Sequence, residues 1–427
     1  MAAKAVGIFG LLPCFLSCAI NCLELDVNNT NSIRAAARTV ADGIFHYYKN
    51  NASDTDPEHV GLFPFPPYYW WESGATWAAM VDYYTYTGDS SYVEVTMEAL
   101  LAQKGPDNNF IVPAHRFDEG NDDQAFWGLG IISALENRWP EPHASEQDWL
   151  SLLTALFENQ TERWDTSSCG GGLKWQIYPE NSYGYDYKNS VSNGAYFQLA
   201  ARLARYTGDA KYVHLATRVW NWCESVGLIS PSYDVFDGTN DKLNCTQLDH
   251  TQWTYNTAIF LEGAAALWNF TNDPVWTRRV DGLLAALTSN FFSPFANATN
   301  VMFESACETA GTCNIDQYSF KAFMSRWLAK TMVLAPWTHD HILPLLQASA
   351  VAAAQSCSGG INGVTCGHKW YLRGWDGTSG LGQQLSALET IQSLLVFQNN
   401  GPYSLVVEEN GAPPITRLPE NDTVCIL

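Results

Sequence analysis

Two distant stretches of this chain repeat one local instruction. Tyr86-Thr87-Gly88-Asp89 is followed by Tyr92-Val93, and Tyr206-Thr207-Gly208-Asp209 by Tyr212-Val213. A looser third copy runs Phe270-Thr271-Asn272-Asp273, with Trp276 after it. Gly or Asn after a helical stretch supplies the left-handed residue that ends a helix, and Asp then caps a new one. Each copy therefore reads as the turn of a helical hairpin. A single hairpin cannot bury its own apolar face, so a chain that repeats one must stack its copies or close them into a ring.

Apolar periodicity extends this pattern to twelve helical segments. The first, about 32–50, has no partner before it. Pairs follow at 72–87 with 89–102, 121–138 with 146–163, 190–207 with 209–226, 254–271 with 273–290, and 317–336 with 340–356. The last segment, about 381–397, has no partner after it, so the two end segments can pair with each other. Turns within pairs are short, whereas the connections 103–120, 164–189, 227–252, 291–316 and 357–380 are long. Long loops in a compact domain tend to carry function. If the first helix of each pair joins an inner ring, these helices run parallel, and their N-termini gather at one end beside all the long loops. The expected fold is an all-α toroid of six helical hairpins, a single domain over 23–427 with a C-terminal extension.

The N-terminus reads as a secretory signal over 1–22: Lys4 supplies charge, 5–20 form an apolar run, and small or polar residues lead to Glu24. Secretion agrees with sequons at Asn28, Asn51, Asn159, Asn244, Asn269, Asn297 and Asn421. Eight cysteines follow the signal, at 169, 223, 245, 307, 313, 357, 366 and 425, and an oxidising compartment should pair most of them. Close spacing favours Cys307–Cys313 and Cys357–Cys366, with Cys223–Cys245 as a third expected bridge. No cysteine–histidine cluster has zinc spacing, and neither metal nor cofactor is expected. The chain ends Pro-Glu-Asn-Asp-Thr-Val-Cys-Ile-Leu, without the apolar tail of a lipid-anchor signal. The expectation is a secreted monomer, at the cell wall or outer membrane surface, anchored only if a tail signal lies beyond this chain. A net charge of −21 argues against nucleic-acid binding, which needs clustered Lys and Arg.

One helix start stands out chemically. Glu119-Gly120-Asn121-Asp122-Asp123-Gln124 places adjacent carboxylates at the head of an apolar run. They can serve as a helix cap, because the positive end of the helix dipole favours negative charge there. They can equally be a catalytic pair. The other inner-helix starts bear on the choice: Tyr68-Tyr69-Trp70-Trp71-Glu72, Lys188-Asn189-Ser190 with Asn193, Trp253 with Tyr255-Asn256, Asp316-Gln317-Tyr318, and Arg373-Gly374-Trp375-Asp376-Gly377. An aromatic side chain is more often core than platform. The chain is rich in aromatics, and those at these helix starts, placed with amides and carboxylates at one end, suit a polyhydroxylated ligand with an apolar face to stack. Two carboxylates could then flank a glycosidic bond, and their repulsion would split their titrations into one ionised and one protonated group. There is no GxSxG elbow, P-loop or HExxH sequence. His339-Asp340-His341 reads as a loop-to-helix junction, and Glu389 as a satisfied or solvated carboxylate.

The chain resembles glycoside hydrolase family 76, the endo-acting α-1,6-mannanases with an (α/α)6 toroid, and in particular its fungal cell-wall Dfg/Dcw branch. The resemblance rests on Asn121-Asp122-Asp123-Gln124, Cys169-Gly170-Gly171-Gly172-Leu173-Lys174-Trp175, Lys188-Asn189-Ser190-Val191-Ser192-Asn193-Gly194, Thr254-Tyr255-Asn256 and the stretch Gly380 to Glu389. It implies a retaining mechanism with Asp122 as nucleophile and Asp123 as general acid/base. The expected binding residues are Trp71, Asn121, Gln124, Lys188, Asn193, Tyr255, Asn256, Trp375 and Asp376. The implied ligand is an α-mannose glycan, either α-1,6-mannan or the core glycan of a glycosylphosphatidylinositol (GPI) anchor, whose attached protein would pass to cell-wall glucan. Alternatives are a hydrolytic endo-α-1,6-mannanase, another toroidal enzyme such as an inverting glycosidase or a polysaccharide lyase, or a non-catalytic glycan-binding protein.

Overall fold

The computed structural model describes residues 22–142 and 147–405. The expected signal up to residue 21, the sequon at Asn421 and Cys425 lie outside the described residues. Among the described residues twelve α-helices follow one another. They are α1 (Thr30–Phe45), α2 (Trp70–Thr87), α3 (Val93–Ala102), α4 (Asn121–Glu136), α5 (Trp149–Glu162) and α6 (Ser190–Thr207), then α7 (Ala210–Ser225), α8 (Thr254–Thr271), α9 (Pro274–Phe291), α10 (Phe320–Leu334), α11 (His339–Ser356) and α12 (Leu381–Gln392). Helix α2 packs on α4, α4 on α6, α6 on α8, α8 on α10, α10 on α12, and α12 returns to α2, closing an inner ring. Helices α3, α5, α7, α9 and α11 back their partners from outside, and α1 packs on α12. This is an (α/α)6 barrel, with the two end helices paired as expected.

The burial pattern separates the two rings. All of α4 and all of α12 are buried, so neither shows a polar face. Outer helix α7 is instead buried along one stripe, Tyr212, Ala216, Val219, Trp220 and Cys223, at the spacing of one helical face. Contact between inner helices is close: a Cβ on Gly74 would stand 2.7 Å from the Trp127 ring. The hairpin turns follow their sequence signal. Gly88 and Gly208 are left-handed at φ 75° and Asn272 at φ 54°, while Asp89, Asp209 and Asp273 accept the backbone N–H groups of Ser91, Lys211 and Val275.

Some boundaries differ from expectation, for local reasons. A 3-10 turn over Ser90–Tyr92 delays α3 to Val93. Helix α10 starts at Phe320, because Asn314 Oδ1 accepts from the N–H groups of Asp316 and Gln317 and holds that segment in a turn. Helix α1 ends at Phe45, where the His46 N–H tightens onto Gly43 and Ile44 carbonyls ahead of the polar run Lys49-Asn50-Asn51.

Every inner helix contributes a charged side chain to one buried network along the barrel: Asp82, Glu136, Arg202, Glu262, Arg326 with Lys330, and Glu389. Arg202 lies 2.7 Å from Glu136 and 3.6 Å from Glu262, and Arg326 lies 2.5 Å from Glu389 and 3.4 Å from Asp82. Burial of charge requires such pairing. Glu389 is thus ion-paired to Arg326 through Oε1, nearer the satisfied than the solvated alternative read from sequence.

The long loops carry a small antiparallel sheet of β1 (Tyr187–Asn189), β2 (Gly238–Asn240) and β3 (Leu248–Asp249), in that order. Cys307–Cys313 and Cys357–Cys366 are bonded as expected. The third bridge is Cys169–Cys245, across a Cα separation of 5.6 Å, and not Cys223–Cys245. Cys223 belongs to the buried stripe of α7, so its thiol is free and faces the core rather than the loop. Two sequons also need correction. The Asn159 side chain lies within α5 and bonds to Arg163 and Gln124, and that of Asn269 lies within α8 and bonds to Arg205 and the Leu334 carbonyl. The Asn269 amide nitrogen is already engaged and Asn159 is only half-buried within its helix, whereas Asn28, Asn51, Asn244 and Asn297 are exposed.

Candidate active site

The first turn of α4 holds the two aspartates. Gly120 precedes it in extended conformation, and Asp123 Oδ2 accepts the Gly120 N–H at 2.5 Å. That is the reciprocal contact of an acidic residue at the third helical position. Asp122 Oδ1 accepts from Ser192 Oγ of α6 at 3.3 Å. The segment Lys174–Gln176 from the α5–α6 loop lies across this helix start: Gly120 bridges to Gln176, and the Asn121 N–H donates to the Trp175 carbonyl at 2.8 Å. A Cβ on Gly120 would meet Asp122 Oδ1 at 2.5 Å, Asp123 Oδ2 at 2.8 Å and the Trp175 carbonyl at 3.1 Å. Glycine is therefore required here by close approach. Both oxygens therefore reach one point at the helix start, which makes the carboxylates a close pair.

Electrostatics separates the two groups. Burial pushes the Asp122 carboxyl up to about 7, held back by backbone N–H groups of the first turn and by the Ser192 hydroxyl. Asp123 is driven well above the ordinary carboxylate range, first by burial and then by the charge of Asp122. Asp122 loses its proton first and Asp123 keeps its own.

The pair opens into a cleft of about 450 Å³ at the inner-helix N-termini. One wall is deep and aromatic. Tyr255 stacks on Phe320 at 3.9 Å, Trp253 stands edge-on to Phe320 at 5.8 Å, and Asp237 lies beside them, raised by burial. Trp71 packs on Phe126 at 4.9 Å, and Asp316, also in the lining, has its carboxyl pushed up to about 6 by burial. The lining also includes Trp175, Gln176, Tyr183, Tyr69, Asp118 and Tyr187, whose hydroxyl donates to Asp237 at 2.8 Å. Among the described residues, none that lines the cleft is Lys, Arg or His, whereas five are aspartates. Such a surface suits a neutral, hydroxyl-rich ligand.

Of the nine binding residues expected from sequence, Trp71 and Tyr255 line this cleft, beside Asp122 and Asp123. The others stand behind it or away from it. Asn121 and Gln124 are buried and bonded to Arg163. Lys188 donates to the carbonyls of Asp165, Ser168 and Gly171 and pairs with Asp165 at 3.0 Å, so it holds the glycine-rich loop rather than a ligand. Asn193 clamps that loop through both the N–H and the carbonyl of Leu173. Asn256 is buried behind Asp237. Trp375 lies outside, its Nε1 donating to the Thr378 carbonyl, and Asp376 accepts from the backbone of His368 and Lys369. The loop 357–380 therefore folds on itself at these two residues. Among lining residues, Tyr69, Asn189, Trp253, Asp316 and Gln317 stood in the sequence at helix starts. Asp118, Tyr183, Tyr187 and Asp237 did not. The tyrosine-dense run 178–187 was a usable signal for two of them; Asp237 had none.

The chain matches glycosyl hydrolase family 76 over residues 32–405. It is 42% identical over 414 residues to the mannan endo-1,6-alpha-mannosidase DCW1 of Saccharomyces cerevisiae, covering 96% of this chain and 89% of that one. It is 42% identical over 385 residues to the mannan endo-1,6-alpha-mannosidase DFG5 of Candida albicans, covering 88% and 83%. The crystal structure of Dfg5 from Chaetomium thermophilum in complex with glucosamine is similar at TM-score 0.84 and 40% identity, over 89% of this chain and 94% of that one. An inactive variant of the α-1,6-mannanase GH76A of Salegentibacter sp., in complex with α-1,6-mannotriose, shares the fold at TM-score 0.67 and 16% identity, over 85% and 99%. With a match that spans its helical barrel and a carboxylate pair in an aromatic-lined cleft, this chain belongs to glycosyl hydrolase family 76 and is a glycoside hydrolase.

Proposed function

We propose that the enzyme is a secreted, monomeric, retaining α-1,6-mannan-type glycosidase and transglycosylase, with Asp122 as nucleophile and Asp123 as general acid/base. The observation that carries this reading is the common approach of both carboxylates to Gly120, with the proton held on Asp123. In the first step the Asp122 carboxylate attacks the anomeric carbon while Asp123 protonates the departing oxygen. In the second, the Asp123 carboxylate takes a proton from the attacking hydroxyl, which displaces Asp122. The named activity of the DCW1 and DFG5 relatives supports an α-1,6-linked mannose substrate. Three disulfides agree with an oxidising, extracellular setting.

The physiological reaction within this reading is cleavage at the mannose of a GPI core glycan, with transfer of the linked protein to cell-wall glucan. A purely hydrolytic endo-α-1,6-mannanase shares the first step and differs only in taking water. Incubation with an α-1,6-mannose-containing anchor glycan, with and without a glucan acceptor, separates them. Ligated product is expected; free reducing mannose alone would make the enzyme a hydrolase, and no product in either arm would leave a glycan-binding protein.

A further inference from the structure

The loop between α9 and α10 carries a sequon unlike the others. Of the four exposed sequon asparagines, Asn297 alone has an aromatic residue two places before it, in Phe295-Ala296-Asn297-Ala298-Thr299. We propose that Asn297 bears an N-linked glycan whose first N-acetylglucosamine stacks on Phe295, and whose following sugars lie in the groove beside α11. The proposal needs entry into the secretory pathway, which is part of the reading above, and not the reaction at Asp122.

Local geometry presents the three residues together. The Ala298 N–H donates to the Phe295 carbonyl at 2.9 Å, closing a four-residue turn. Ala298 is 4% exposed, so the turn rests on the core through that methyl group, while Phe295, Asn297 and Thr299 are exposed. The turn is also held in place. The Ser293 N–H donates to the Val301 carbonyl at 3.0 Å, and Arg373 Nη2 donates to the Asn297 carbonyl at 2.7 Å. Phe295 stands edge-on to Tyr371 at 5.1 Å, yet its ring remains 47% exposed. A ring already packed on one side loses little rotamer freedom when a sugar covers the other.

The adjoining groove suits a neutral, hydroxyl-rich occupant. It has a volume of about 520 Å³, and Asn297 and Thr299 themselves belong to its lining. Val351, Ala352, Trp370 and Tyr371 give it apolar surface, and Gln347 and Gln355 supply amides. Although the chain carries a net charge of −21, no carboxylate among the described residues lines this groove. Its one charged lining residue, Arg373, is engaged by the Asn297 carbonyl. A glycan on Asn297 starts at the edge of the groove, so seating it is an intramolecular step. In attachment the Asn297 side-chain nitrogen gives up a proton and bonds to the anomeric carbon of the first sugar. The bond from that carbon to the diphosphate of a lipid-linked oligosaccharide breaks, its electron pair leaving on the phosphate.

The test uses the full chain secreted from a glycosylating eukaryotic host, before and after endoglycosidase trimming to one N-acetylglucosamine per site. Glycopeptide mass spectrometry should find that sugar on Asn297. Pulse proteolysis at one fixed urea concentration then reads the folded-to-unfolded ratio of the trimmed chain. Phe295→Ala should lower this ratio about threefold to tenfold more in the parent than in the Asn297→Gln background, the worth of one stacking contact. Asn28→Gln and Asn51→Gln should leave the cost of Phe295→Ala unchanged. Trimming should speed hydrogen exchange over 348–355 of α11, and unchanged exchange there would overturn the seating in the groove. An unmodified Asn297 in a chain glycosylated elsewhere would overturn the proposal, as would a Phe295→Ala cost that is equal with and without the sugar. So would a cost that falls in Asn28→Gln, because Val27 beside it also lines the groove. A chain without glycan at any sequon would remove secretion itself, which is a different failure.

Discussion

Asp123 caps its own helix and, in the proposed mechanism, carries the proton, and the two roles share one cause. Only the first turn of a helix offers both a backbone N–H for Asp123 and a ring of positive dipole for Asp122. Asp122→Asn and Asp123→Asn should each lower kcat about a thousandfold or more while circular dichroism stays native, since each removes a group that takes part in bond making. The same substitutions should change stability. Burial raises Asp122 from 3.8 to about 7 in the folded protein, so between those values the folded state binds more protons than the unfolded one. Stability contributed at low pH is then lost as pH rises through this window. Asp122→Asn should therefore be more stable than the parent at pH 8, by on the order of 2–4 kcal/mol, with the gap closing below pH 4. Thermal unfolding across pH measures this, and a gap that widens on acidification would contradict the sign. The activity profile should be bell-shaped, rising as Asp122 ionises and falling as Asp123 does.

At the level of elements, the hairpin turns were the most legible part of the chain because their signal is local. Gly208 ends α6 and Asp209 caps α7 within two residues, and no distant group is needed for either. Asp209→Ala should cost about 1 kcal/mol in chemical denaturation, the usual worth of a cap, without touching turnover. The loops behaved otherwise. Cys245 pairs with Cys169, 76 residues away, because β1 and β2 bring the α5–α6 and α7–α8 loops together. Sequence proximity pointed to Cys223, whose helix instead turns it inward. Replacing Cys169 and Cys245 by Ser should cost roughly 4 kcal/mol by loop entropy, seen as a lower Tm under non-reducing conditions. Lys188 and Asn193 show the same limit. Their position beside a cleft suggested ligand contact, yet both satisfy carbonyls of a glycine-rich loop that the cleft wall needs in place.

For the whole molecule, closure of the ring depends on a core that is not wholly apolar. Four acids and three bases from six inner helices meet inside the barrel, so each helix is held to the others by charge as well as by packing. Removing one partner strands the rest without water. Arg202→Ala leaves Glu136 and Glu262 facing each other in the interior and should destabilise by about 3–5 kcal/mol in urea unfolding. Replacement by Lys should recover only part of this, since a single ammonium cannot match the Arg202 fork.

The sequence by itself determined the number of hairpins, the helix order, the end at which the long loops gather and the aspartate pair in the first turn of α4. These are properties of period, cap and dipole, and they are written within a few residues of where they act. Tertiary structure alone decided which aromatics face the cleft, which amides merely brace it, and which cysteine meets Cys245. Those choices depend on how loops remote in sequence fold over one helix start, and no local pattern encodes that. The carboxylate pair was visible from the chain; the loops that build the cleft around it were not.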